Sequence, residues 1–137
     1  MCFAPLVLVG YLMTMQPNQW HVSEFSGALL QAQTCDTGLG LAVKASPAGI
    51  GSLDVQYGWQ FTHDEWALTL SPKAGVGYLD HHVPELTSHV NFSLGAQILI
   101  GYGSARMAVE YWHQSNAGLG DHNAGLDMLA ISGGWRF

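Results

Sequence analysis

The chain has 137 residues, one domain's worth, with only 4 Lys and Arg and 10 Asp and Glu against 17 Gly and 5 each of Phe, Trp and Tyr, a balance that excludes disorder. The net charge of -6, with so few cations, leaves no basic patch for a nucleic-acid backbone and excludes nucleic-acid binding. No stretch reaches the roughly 18 uninterrupted apolar residues of a membrane helix; if the chain crosses a membrane it does so as a closed barrel, because an open sheet would leave backbone groups unpaired in lipid.

From the N-terminus, Cys2 to Met15 is apolar but has no Lys or Arg before it and no clear small-residue cleavage site, so residues 1–15 read either as a signal remnant or as a first strand over Ala4 to Thr14. A second strand is predicted over Trp20 to Leu30, and Leu39, Leu41 and Val43 mark a short third one. Cys2 and Cys35 match no metal or redox spacing; a disulfide between them and two separate thiols both remain open.

Strict period-two alternation then takes over. In Leu53 to Phe61 every odd residue is apolar and every even one is polar or Gly. From Trp66 to Tyr78 the even residues are apolar, with Pro72 out of place because it cannot donate to a ladder. The same alternation runs through Ser88 to Gly101, Ala105 to Ser115 and Asp127 to Phe137. Long connections (Ser46 to Ser52, Leu79 to Thr87, Asn116 to Leu126) alternate with short ones (Thr62 to Glu65, Tyr102 to Ser104), as expected where long loops lie outside the cell and tight turns in the periplasm.

Strands of about ten residues suit a tilted membrane crossing, whereas strands of soluble sandwiches run nearer five or six. All four cations, Lys44, Lys73, Arg106 and Arg136, share the face opposite the apolar residues with Asp54, Gln56, Gln60 and Glu110, which predicts an interior of compensated charges. Trp59, Phe61, Trp66, Tyr78, Tyr102, Trp135 and Phe137 sit at strand ends like an interfacial girdle. The expected fold is all-β: one small antiparallel transmembrane β-barrel of eight strands spanning residues 1–137, in the outer membrane of a Gram-negative bacterium.

Chemistry concentrates in His113-Gln114-Ser115-Asn116-Ala117-Gly118. His113 and Ser115 continue the lipid-facing parity of Met107, Val109 and Tyr111, and Asp127 has the parity of Leu129, Ile131 and Trp135 on the returning strand. A nucleophile, a base and an orienting acid therefore converge on adjacent strands at one rim. The backbone amides after Ser115, or the Asn116 side chain, are placed to hold an oxyanion, which makes Asn116, Ala117 and Gly118 the candidates.

The run His113-x-Ser115-Asn116-Ala117-Gly118, followed by Asn123-x-Gly125-x-Asp127, resembles the active-site hairpin of the lipid A 3-O-deacylase (PagL) family over about 25 residues. The resemblance implies a serine esterase without cofactor or metal, with His113 as base, Ser115 as nucleophile and Asp127 as acid. It implies hydrolysis of the 3-position acyl ester of lipid A, with lipopolysaccharide as partner; monomer and homodimer both stay open. The family carries Glu where this chain has Asp127, one methylene shorter, so either the strands close up or the acid–base contact weakens.

Against this stand blander readings. A lone His-x-Ser in a strand is usually incidental, and a non-catalytic eight-stranded barrel of structural or adhesive role would carry the same three residues as rim polar groups. A soluble lipid-carrying barrel is the third reading. The His81-His82 pair is expected in a solvated loop rather than at a metal, because neighbouring strand residues point to opposite faces. Arg106 and Glu110 are expected to serve interior ion pairing.

Overall fold

The computed structural model describes residues 4–16, 19–21, 27–47, 49–79, 90–115 and 125–137, with backbone alone at 15, 16 and 19–21. They form β1 (Leu6–Gln16), β2 (Gln19–His21), β3 (Gly27–Gln33), β4 (Gly38–Ser46), β5 (Ile50–His63), β6 (Trp66–Leu79), β7 (Val90–Tyr102), β8 (Ala105–Ser115) and β9 (Leu126–Arg136). Each pairs antiparallel with its neighbours, and β1 closes the sheet on β9 from Leu6↔Arg136 to Met15↔Asp127. β2 and β3 both pair with β1: Leu12 lies opposite Gly27 and Thr14 opposite His21, so two steps along β1 span six along its partner. They are two parts of one barrel strand, and the barrel has eight.

Alternation becomes a wall with two environments. On β8, Arg106, Ala108, Glu110, Trp112 and Gln114 are buried, while Met107, Val109 and Tyr111 face out. Trp59 (54 %), Phe61 (61 %) and Trp66 (54 %) are as exposed as the aliphatic residues Leu53 (54 %) and Ile131 (56 %), a surface that only lipid can cover at acceptable cost. Aromatic rings near the strand ends pack in pairs, Trp66 of β6 on Tyr102 of β7 at 4.9 Å and Tyr57 on Trp59 within β5 at 5.1 Å.

The interior carries the compensated charges expected from the sequence, gathered into a belt between two apolar layers. Across the middle, Glu110 receives both Lys44 and Lys73 (3.1 Å for the latter), and Gln97 donates to it at 3.1 Å. Lys44 also lies 3.3 Å from Asp54 and 4.2 Å from the centroid of the Trp112 ring. Arg106 and Glu110 do not pair with each other; the guanidinium takes Asp36 at 2.9 Å. On either side of this belt sit apolar plugs, Leu6, Leu8, Leu99 and Ala108 towards the termini, and Leu12, Leu29, Ile50, Leu79, Trp112, Leu126, Met128 and Ala130 towards the opposite rim. β1, which supplies Leu6, Leu8 and Leu12 to them, is apolar on both faces.

Two local features depart from expectation. The connection read as long from Ser46 to Ser52 is a tight turn, with Ser46 paired to Ile50 and the Gly49 amide donating to the Ser46 carbonyl at 3.0 Å; Gly51 and Ser52 belong to β5. The β3–β4 turn folds into the barrel mouth, burying Cys35 and Asp36. A Cβ on Gly58 would lie 2.2 Å from the Asp36 carbonyl oxygen, so only glycine lets the turn seat there. Pro72 leaves the β5–β6 pairing interrupted between Gln56↔Lys73 and Trp59↔Leu70, while its pairing with β7 opposite Ala96 persists. Cys2 and the His81-His82 pair lie outside the described residues.

The candidate active site

The termini and the turns at residues 34–37, 64–65 and 103–104 share one rim; the opposite rim carries the tight turn between Ser46 and Ile50, the ends of β6 and β8 and the starts of β7 and β9. A rim whose turns are all short is the periplasmic side of such barrels, and the longer connections belong to the other. The C-terminal end of β8 and the start of β9 therefore lie at the external rim.

There His113 and Asp127 are direct cross-strand partners, and both side chains face outward. Side chains of such a pair stand about 5 Å apart at Cβ, within reach of a short acid. The His113 Nδ1 lies 2.7 Å from Asp127 Oδ1, with the imidazole 36 % and the carboxylate 24 % exposed. The methylene that Asp lacks is thus no obstacle to contact. With Nδ1 engaged, Nε2 is the imidazole nitrogen left to meet a substrate or nucleophile.

Ser115 stands two residues beyond His113 on the same face, half-buried, opposite Phe92 on β7 and just past the last β8–β9 pair, Gln114↔Leu126. Among the described residues no hydrogen bond joins its hydroxyl to His113. Asn116, Ala117 and Gly118 lie outside the described residues.

Two features escaped the sequence reading. Tyr111 donates its hydroxyl to the same Asp127 Oδ1 at 2.6 Å. Parity alone placed Tyr111 one row from His113, but an outward tyrosine in this pattern reads as part of the lipid-facing surface. The second is Gly125, already in the quoted motif but without a role there. Its φ is +81°, and a Cβ on it would stand 2.1 Å from His113 Cε1 and 2.5 Å from Nε2. The imidazole rests against bare backbone.

The inward residues of the same stretch fix the strand. Trp112 is fully buried against Lys44, and Gln114, also fully buried, donates to the Gly51 carbonyl at 3.1 Å. Because side chains alternate, anchoring Trp112 and Gln114 inside holds Tyr111, His113 and Ser115 outside. The site is therefore an imidazole and a carboxylate in contact on the outward face, backed by a packed interior.

Among solved structures, the chain is similar to the outer membrane enzyme PagL, with 16 % identity, TM-score 0.67, and 98 % of this chain and 100 % of that one covered. It is also similar to the Neisserial surface protein A, NspA (13 %, TM-score 0.63, 98 % and 95 % covered), and to Ail, the attachment invasion locus protein of Yersinia pestis (13 %, TM-score 0.60, both chains fully covered). At these identities the likenesses speak for the fold, an outer-membrane barrel, and lend no support to a homodimer. No curated protein sequence matches. The family model described as lipid A 3-O-deacylase (PagL) matches residues 7–136, nearly the entire chain, and the protein belongs to that family.

Proposed function

We propose that this chain is a serine esterase that hydrolyses the 3-position acyl ester of lipid A in the outer leaflet. His113 Nε2 accepts the Ser115 hydroxyl proton as Oγ attacks the ester carbonyl, and Asp127 holds Nδ1–H and stabilises the imidazolium. His113 then returns the proton to the departing sugar oxygen, leaving an acyl-serine. Water, deprotonated by His113, releases the hydroxy fatty acid. Asn116, Ala117 and Gly118 supply the oxyanion donors.

The observation that carries this reading is the 2.7 Å contact between His113 and Asp127 in a row that otherwise faces hydrocarbon, within a chain of the deacylase family. A passive barrel gains nothing from an ionisable pair there. An outward site also suits a membrane lipid, since the acyl chain stays among the outer faces of β7 to β9 while the ester reaches the rim.

The test is release of 3-hydroxy fatty acid from lipopolysaccharide by the detergent-refolded protein. D127N should slow release by on the order of 10³- to 10⁴-fold, as loss of the tautomer-fixing acid does in serine hydrolases. Equal release by parent and D127N would remove Asp127 from the mechanism.

A further inference from the structure

Tyr111 stands outside the triad, yet its hydroxyl lies as close to the acid as the imidazole does. We propose that Tyr111 is a positioning residue for the deacylase reaction: its hydroxyl pins the short Asp127 carboxylate so that Asp127 can orient His113. The inference rests on the proposed function and adds a fourth group to it.

The two donors share one acceptor atom. Tyr111 OH lies 2.6 Å and His113 Nδ1 2.7 Å from one oxygen, Asp127 Oδ1. An aspartate on a strand turns about two torsions, and a single hydrogen bond from the imidazole leaves the carboxylate plane free to swing. A second donor on the same oxygen, coming from the neighbouring outward row of β8, removes that freedom. The surroundings add the electrostatic reason. Tyr111 is paired across the sheet with Leu129 and Ala96, and His113 with Leu94, so the carboxylate lies at the edge of an apolar surface where water is scarce. Hydrogen bonds to a charged oxygen are stronger than neutral ones. No proton leaves the tyrosine at any stage. It acts on the reacting atoms only through Asp127 and His113.

A plain alternative exists: an interfacial tyrosine that takes the nearest acceptor for its hydroxyl, with its ring as the useful part. Y111F and Y111L separate the two. If the hydroxyl positions the acid, Y111F loses about 10- to 100-fold in kcat, the effect of one hydrogen bond to a charged group, with KM close to the parent's. Y111L should lose a similar amount. The second readout is the His113 imidazole in nitrogen-15 histidine-labelled protein, assigned by its loss in H113Q. The parent should show one slowly exchanging Nδ1–H signal, and Y111F should broaden or lose it. Heat-modifiable migration checks that each variant is a folded barrel.

The inference is overturned if Y111F keeps the parent's kcat and Nδ1–H signal, or if Y111L alone is impaired. Failure of the parent to release fatty acid would instead count against the deacylase reading. The imidazole signal still decides whether Tyr111 orders the pair.

Discussion

Two contacts hold the His113 imidazole in place on the outward face of β8. Asp127 holds one nitrogen, and Gly125 gives the ring a flat backbone to lie against. Replacing Gly125 by Ala places a methyl group inside the ring's present position and asks an L-residue to adopt φ +81°. The backbone strain alone is worth about 1 kcal/mol, which a closed barrel tolerates, whereas the displaced ring does not keep its geometry. G125A should therefore remain folded by heat-modifiable migration while deacylation falls about 100-fold, the cost of an ångström-scale misplacement of a reacting group. Retained activity in G125A would show that His113 has room to move without loss.

Elements β5 to β9 were legible because each alternates strictly between two unlike environments. β1 was legible only as one of two readings, signal remnant or first strand, since Leu6, Leu8 and Leu12 fill the interior while Val7, Val9 and Tyr11 face lipid, and two apolar faces carry no period. The second strand was blurred by the extra residues between β2 and β3. The turn at Ser46 was misread because Gly51 and Ser52 look like loop residues, although Ser52 points inward and donates to Asp54 at 2.7 Å. For the site, parity was enough to join His113 to Asp127 across β8 and β9. It could not find the Tyr111 hydroxyl, because a pattern of apolar against polar residues scores tyrosine by its ring. The interior belt gives the element-scale prediction. Glu110 is the shared partner of Lys44 and Lys73, all three buried. E110A leaves buried ammonium groups without that partner and should destabilise the barrel by about 3–5 kcal/mol, read as a lower urea midpoint in refolding. An unchanged midpoint would mean that Asp54 and Gln97 suffice to satisfy the belt.

For the whole molecule, the barrel acts as a rigid frame that presents chemistry on its outside. Its polar belt and apolar plugs lie inside, while the His113–Asp127 pair of the proposed reaction faces outward near one rim. The likeness in fold to NspA and Ail, at TM-scores near that to PagL, shows that such a frame by itself does not decide function. For this chain the functional reading rests on the family match and on the polar groups in the outward rows of β8 and β9. The most direct test is mass spectrometry of lipid A after incubation of lipopolysaccharide with the parent protein and with S115A, both verified as folded barrels. The account predicts loss of the mass of one hydroxyacyl chain with the parent and intact lipid A with S115A. Intact lipid A with both, or the same loss with both, would contradict it.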